Sequence, residues 1–203
     1  MAGVKRGPVG DLYLVVGWLA VLWAIFIVDM VLRAVFDIKI AGWLGLRPRD
    51  IDGLLGIITS HFLHADLGHI TANSVGLLLL GWLSCKYSRS LTLVTVLYSM
   101  LIAGSLTWLV GSWSPPPGSD PPVHVGASGV IFGLIGWLVA NGLFRREWRS
   151  FFIALLVVVL YGGALPGVLP SNAPQMAQIS WEMHLGGFIG GVLASWHMWK
   201  QKA

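Results

Sequence analysis

The amino-acid sequence predicts an all-α polytopic membrane protein. We expect a single domain over residues 1–203, built as a bundle of six transmembrane helices with a short fourth helix that starts inside the membrane. Of the 203 residues, 56% are hydrophobic and only 11% are charged, whereas a soluble domain carries about a quarter charged residues. Apolar segments of about 20 residues are long enough to cross a bilayer. Six candidate segments follow one another, at about 12–35, 60–84, 91–113, 127–144, 150–169 and 181–199.

The first segment is predicted to be an uncleaved span rather than a secretory signal. It runs from Leu12 to about Val35, which is too long for a signal sequence, and no Ala-x-Ala-like site follows it. Asp29 and Arg33 stand four residues apart within it, a spacing that predicts an ion pair near the helix end. The next stretch, residues 36–59, is apolar but interrupted, and we expect a loop partly embedded in the membrane interface.

The fourth segment is short, and its length predicts a cavity. Val130 to Phe144 is about 15 residues, or roughly 22 Å of helix, against a hydrocarbon core of roughly 30 Å. The proline-rich run at 114–122 cannot be helical, so we expect the helix to begin below the outer membrane surface. Non-helical backbone at that depth is tolerated only where it is buried in protein or lines a water-filled cavity, and Ser128 would lie at the cavity floor. The later loop, 162–180, is either a lid over this cavity or a plain connection.

The basic residues flank the spans unevenly and predict the orientation of the chain. With six crossings, nine of them fall on one side, which the positive-inside rule assigns to the cytoplasm together with both termini. They form short clusters rather than a stripe, so no nucleic-acid partner is expected. The chain is compatible with a bacterial plasma membrane, since no organelle-targeting segment is seen. The nine are Lys5, Arg6, Lys86, Arg89, Arg145, Arg146, Arg149, Lys200 and Lys202.

Three sets of polar residues inside the predicted spans are candidates for a functional site, because such residues are costly in a membrane. Ser128 lies between glycines at the start of the fourth span and is either a small packing residue or a nucleophile. His69 and Asn73 stand four residues apart on one helix face. Their donors fit hydrogen bonding between helices and also fit the binding of an oxyanion. His184 lies on the sixth span.

Glycines accompany Ser128 and His184 and predict how their helices pack. Small residues at four-residue spacing let two helices approach closely. The sixth span would then lie against the fourth, with His184 beside Ser128. Close packing alone explains the glycines, but a hydrogen bond between a serine nucleophile and a histidine base requires it too. The glycines are Gly129 and Gly133 on the fourth span and Gly187 and Gly191 on the sixth.

Other site chemistries find little support in the sequence. No His-Glu-x-x-His is present, and the spacing of His61, His64 and His69 does not put all three on one helix face, so no metal site is expected. No P-loop or dinucleotide fingerprint is present, and no cofactor is predicted. A small transporter with a broken helix is an alternative, although neither inverted halves nor acidic residues along a central pathway are apparent.

Taken together, these residues resemble the rhomboid family of intramembrane serine proteases, over roughly residues 50–195. The motifs stand in the family's order and on the corresponding helices. They are His64-x4-His69-x3-Asn73 on the second span, Gly126-x-Ser128-Gly129 opening the fourth, and His184-x2-Gly187-x3-Gly191 on the sixth.

The resemblance implies a catalytic dyad, with Ser128 as nucleophile and His184 as general base. Family members cleave other membrane proteins within or near a transmembrane segment, and their active site opens to the extracytoplasmic side. The implied partners are therefore transmembrane protein substrates, besides the lipid bilayer itself. A catalytically inactive relative that only binds membrane proteins is the alternative, although such relatives usually lack the serine or the histidine.

The resemblance also implies an oxyanion site and the groups that shape it. The donors would be the backbone N–H of Ser128 and the side chains of Asn73 and His69, with the backbone N–H of Ala127 as an optional further donor. Gly126 and Gly129 would let the backbone approach the site. Phe132 stands where the family often has a tyrosine, so its ring would still stack near His184 but without the hydroxyl.

Overall fold

The computed structural model of the chain describes residues 8–111, 123–170 and 179–200. Within these ranges the chain is helical apart from short connections, and the only extended pairing is an isolated bridge between Leu46 and His124. The all-α prediction is therefore confirmed. The predicted proline-rich run at 114–122 lies outside the described residues, as do residues 171–178 of the predicted lid or connection.

The helices follow the predicted segments, with additional short helices in the first loop. Leu77–Gly81 is π-helical and joins two helices into one segment, and Gly162–Val168 is a 3-10 helix. The helices are α1 (Pro8–Phe36), α2 (Ala41–Leu44), α3 (Gly56–Thr59), α4 (Leu67–Gly76), α5 (Trp82–Cys85), α6 (Arg89–Val110), α7 (Ser128–Phe144), α8 (Trp148–Tyr161) and α9 (Trp181–Lys200).

Four helical segments in the described part of the chain are long and apolar enough to cross a membrane. They are Gly10–Phe36, Leu67–Cys85, Arg89–Val110 and Trp148–Val168, and they correspond to the first, second, third and fifth predicted spans. Helix α7 has 17 residues, in keeping with a short fourth helix. Helix α9 has 20 residues but is rich in glycine and carries polar residues in its first turns, so the six-span count stays a prediction.

The second long helix begins later than the sequence predicted, at Leu67 instead of near residue 60. Ser60–Phe62 forms a separate 3-10 turn, and Leu63 after it is extended. The side chain of Asp66 then accepts a hydrogen bond from the His69 N–H at 2.8 Å, the capping contact that favours a helix start. This cap puts His69 in the first turn of α4.

Helix α7 lies at the centre of the bundle. Of its 17 residues, 13 are buried, and it packs against α6, α8 and α9. A helix that is apolar all round is expected to be buried on every side. Helices α1 and α8 instead expose many large apolar side chains, as helices that face lipid do. The start of α7 is therefore held inside the protein.

Helices α7 and α9 approach each other through the predicted glycines. A Cβ added to Gly187 would overlap the carbonyl oxygen of Gly129, and one added to Gly191 would overlap that of Gly133. Only residues without a side chain permit such backbone contact between helices. The contact brings the first turn of α9 beside the first turn of α7.

Ion pairs hold α1 near both of its ends. Arg33 pairs with Asp29, as the spacing predicted, and Asp29 Oδ1 also accepts a hydrogen bond from the Ile40 N–H at 2.9 Å. Near the other end, Arg89 Nε donates to Asp11 Oδ1 at 2.6 Å. These contacts tie a lipid-exposed helix to the first loop and to the start of α6.

Candidate active site

Ser128 is the first residue of α7 and follows a sharply turned segment. Gly126 has a φ of +127°, a conformation that residues with a Cβ rarely adopt. Its N–H donates to the Ser60 carbonyl at 2.9 Å. Ala127 caps α7 without a side-chain hydrogen bond, and its carbonyl accepts the N–H groups of Val130 and Ile131 at 3.0 and 3.1 Å. The N–H groups of Ser128 and Gly129, which lack partners within the helix, therefore gain none from the cap side chain.

Ser128 and His184 form a hydrogen bond that joins the starts of α7 and α9. Ser128 Oγ lies 2.8 Å from His184 Nε2. The other ring nitrogen, Nδ1, lies 3.1 Å from the carbonyl oxygen of Gly167. A carbonyl can only accept, so Nδ1 carries the proton and Nε2 presents its lone pair to the serine hydroxyl. This tautomer is the one that a general base requires.

Phe132 fixes the plane of the histidine ring. It lies one turn after Ser128 on α7, and its ring stacks on that of His184 with centroids 4.2 Å apart and planes inclined by 16°. Because stacking restricts rotation about the Cβ–Cγ bond, it holds Nε2 in line with Ser128. The aromatic ring suffices for this contact, and no hydroxyl takes part in it.

His69 and Asn73 lie against the backbone of Gly126. A Cβ added to Gly126 would stand 2.5 Å from His69 Nε2 and 3.5 Å from Asn73 Nδ2. Asn73 is 5% exposed, and its Nδ2 makes no hydrogen bond with any of the described residues. A buried donor without a partner is unfavourable, so this amide is well suited to an oxyanion formed beside Ser128.

A cavity of about 930 Å³ connects these groups. Ser128, His184, His69, Asn73 and Phe132 all line it. The cavity that the short fourth helix predicted is therefore present, with the serine in its wall. Its size leaves room for an extended peptide segment and for water.

The other two histidines of the second predicted span lie in the packing around the site. His61 is 1% exposed, and its Nε2 lies 3.2 Å from the Met100 carbonyl. His64 packs edge-on against His69, with ring centroids 5.2 Å apart. In the described ranges, no group of three His, Cys, Asp or Glu side chains is arranged to hold a metal ion.

Sequence reasoning missed Gly167. This residue belongs to the 3-10 helix Gly162–Val168, the described start of the predicted lid or connection, and stands 17 residues before His184. Its contribution is a backbone carbonyl, which every residue has, so no side-chain signal in the sequence points to it. Only the folded chain brings this carbonyl to Nδ1 of the histidine.

Comparison with known proteins gives consistent matches. The Rhomboid domain matches residues 52–201. The uncharacterized protein Rv1337 of Mycobacterium tuberculosis is 35% identical over 179 residues, 88% of this chain and 71% of that protein. "Putative rhomboid protease YdcA" of Bacillus subtilis is 33% identical over 141 residues, 68% and 64% of the two chains. Rhomboid-like protease 5 of Toxoplasma gondii is 28% identical over 159 residues, 72% and 16% of the two chains.

The domain match includes every candidate site residue, from His69 to Gly191. With the apolar helices, it makes this chain an integral membrane protein. Because the match covers most of the sequence, the chain belongs to the rhomboid family.

Proposed function

We propose that this protein is an intramembrane serine endopeptidase that cleaves transmembrane segments of other membrane proteins. The observation that carries the proposal is the 2.8 Å contact between Ser128 Oγ and His184 Nε2 inside a cavity. A serine hydroxyl bonded to an oriented histidine is the arrangement that nucleophilic catalysis needs. Membership of the rhomboid family supports the same reaction class.

The reaction would proceed through an acyl-enzyme. Ser128 Oγ attacks the scissile carbonyl carbon while its proton moves to Nε2 of His184. The C–N bond breaks as His184 delivers that proton to the leaving amine, which leaves an ester on Ser128. Water then attacks the ester, His184 takes its proton, and the proton returns to Ser128 Oγ as the carboxylic acid departs. The carbonyl of Gly167 accepts from Nδ1, so Nε2 alone shuttles the proton.

The negative charge on the carbonyl oxygen needs donors that are already in position. The backbone N–H of Ser128 stands at the start of α7, where the helix dipole favours negative charge. The Asn73 amide has no other acceptor among the described residues, and His69 Nε2 lies on the same side of Gly126. The backbone N–H of Ala127 would be the further donor.

The proposal extends to the topology of the chain and to its substrates. Helices α7 and α9 would complete six crossings, with both termini in the cytoplasm and the cavity opening to the extracytoplasmic side. The bacterial relatives support a bacterial plasma membrane. A transmembrane substrate must unwind locally to present a carbonyl to a serine inside a cavity, because helical carbonyls are already hydrogen bonded.

The test is cleavage by the purified protein in lipid vesicles that also contain a transmembrane substrate. Ser128→Ala and His184→Ala are each expected to abolish cleavage, because the nucleophile or its base is lost. Matched controls are Ser90→Ala, exposed at the start of α6, and His197→Ala, exposed at the far end of α9. Both are expected to cleave at the wild-type rate.

Full cleavage by Ser128→Ala would reject the proposal. A wild type that binds the substrate but never cleaves it, and whose Ser128 does not react with a fluorophosphonate, would instead identify an inactive member of the family. Thermal unfolding of each variant in detergent checks that the variant still folds, so that a loss of cleavage reflects the missing reactive group.

A further inference from the structure

A second serine–histidine hydrogen bond lies beside the dyad. His124 Nδ1 is 2.8 Å from Ser180 Oγ. His124 stands four residues before Ser128, and Ser180 stands four residues before His184. The two pairs are therefore separated by the same 56 residues, and the same two chain segments are linked twice.

A buried carboxylate gives this second contact its direction. Ser180 Oγ donates to Glu182 Oε2 at 3.2 Å, and Glu182 is 3% exposed. Because the single hydroxyl proton of Ser180 goes to the carboxylate, its oxygen accepts from Nδ1–H of His124. Glu182 lies in the first turn of α9, where the helix dipole favours its negative charge. The result is a chain of donors from His124 through Ser180 to Glu182.

Backbone hydrogen bonds at His124 and at Ser180 connect this series of side chains rigidly to the dyad. His124 exchanges two backbone hydrogen bonds with Leu46, at 2.8 and 3.1 Å, so the segment before Ser128 is anchored to the first loop. The carbonyl of Ser180 accepts the N–H of His184 at 3.2 Å. A shift of Ser180 would therefore pass to the histidine of the dyad over one helical turn.

The hydrogen-bonded series of His124, Ser180 and Glu182 is not a second nucleophilic centre. In a serine nucleophile triad the histidine lies between the serine and the carboxylate, whereas here the serine lies between the histidine and the carboxylate. Nδ1–H of His124 faces Ser180 as a donor and cannot remove its proton. His124, Ser180 and Glu182 nevertheless line the same cavity as the dyad, and no step of the proposed chemistry uses them.

We propose that His124, Ser180 and Glu182 are positioning residues that set the distance and angle between Ser128 and His184. The inference rests on the proposed function, since it concerns the same dyad. The two segments that carry the dyad are joined at the dyad itself by a bond that must break and re-form in every turnover. The hydrogen bond between His124 and Ser180 stays intact during the reaction and so preserves the alignment of Ser128 and His184.

Three variants of the full-length protein in vesicles test this link: Ser180→Ala, His124→Ala and the double variant. A misplacement of about 1 Å costs on the order of 100-fold in rate, so each single variant is expected to lower kcat about 10–100-fold with KM changed less than about 2-fold. The double variant is expected to be no slower than the slower single one, because both break one connection. Ser180→Thr keeps the hydroxyl and is expected to restore most of the rate.

A second measurement separates this inference from the proposed function. A fluorophosphonate reacts with Ser128 only if the dyad is active, so an unlabelled wild type would reject the proposed function itself. If wild type is labelled, Ser180→Ala is expected to be labelled about 10–100-fold more slowly. Labelling at the wild-type rate, losses that multiply in the double variant, or no recovery in Ser180→Thr would each overturn the inference. Ser105→Ala, exposed on α6, is the matched control.

Discussion

The contact between His184 Nδ1 and the Gly167 carbonyl decides which nitrogen faces Ser128. In many serine hydrolases a carboxylate performs this task. Here a backbone carbonyl does so, and the group bonded to Nδ1 is therefore uncharged. The ring of Phe132 stacks on the face of the imidazole and restricts its rotation. Besides Ser128, the imidazole of His184 thus contacts one carbonyl and one aromatic ring, and neither of these two groups is ionisable.

Removing the Asn73 amide is expected to weaken the proposed oxyanion site. Asn73→Ala is expected to lower kcat about 10–1000-fold with KM little changed, because losing one oxyanion donor removes an interaction made mainly in the transition state. Initial rates over a range of substrate concentrations in vesicles give kcat and KM separately.

Thr71→Ala, exposed on the same helix α4, is the control for Asn73→Ala and is expected to cleave normally. An unchanged kcat in Asn73→Ala would remove Asn73 from the oxyanion site.

At the scale of helices, the contact between α7 and α9 places the dyad. Gly187 lies on the Gly129 carbonyl and Gly191 lies on the Gly133 carbonyl, so the backbones themselves touch. The other face of α9 packs on α6, where Gly186 faces the backbone of Ala103. Helix α9 is therefore held between two helices by residues that have no side chain to adjust. Such a contact keeps Ser128 and His184 in register.

Gly187→Ala tests this packing. The added methyl would overlap the Gly129 carbonyl, and backbone cannot move aside as a side chain can, so a loss of about 1–3 kcal/mol or more in stability is expected. Its melting temperature in detergent is expected to fall, and cleavage is expected to be lost with it.

The control for Gly187→Ala is Gly17→Ala on α1, where an added Cβ meets nothing within 4 Å. There the helix propensity of alanine is expected to stabilise by roughly 0.5–1 kcal/mol. Equal melting temperatures for Gly187→Ala and wild type would contradict the close contact.

For the whole molecule, burial is concentrated in α7 and exposure in the outer helices. Helix α7 is buried along most of its length, while α1 and α8 present apolar side chains outward. Arg145 and Arg149 flank the ring of Tyr87 at 5.3 Å each, which clusters positive charge at the end of the bundle assigned to the cytoplasm. Trp43 is 68% exposed in the first loop, on the predicted opposite side.

Cysteine labelling in intact bacterial cells tests this orientation. Trp43→Cys is expected to react with a membrane-impermeant maleimide from outside, whereas Arg146→Cys, exposed between α7 and α8, is expected to react only after permeabilisation. The native Cys85 is buried, so the background is expected to be low. The reverse pattern would mean that the chain is inserted the other way round.

The sequence by itself determined the helical class, the approximate positions of the long helices and the residues that meet at the cavity. Apolar runs and glycine spacing are local patterns, and the histidine, serine and glycine motifs stand out in an apolar chain. The predicted start of the second helix was wrong because Ser60–Phe62 forms a separate 3-10 turn followed by an extended Leu63, and the Asp66 cap starts α4 only at Leu67.

Only the tertiary structure decided which contacts surround Ser128 and His184. The Gly167 carbonyl and the bond from His124 to Ser180 join residues 17 and 56 positions apart. The first partner is a group common to all residues, and the second pairs two residues that have no shared motif. Such contacts depend on how loops are folded back over the helix ends, which hydrophobic periodicity does not encode.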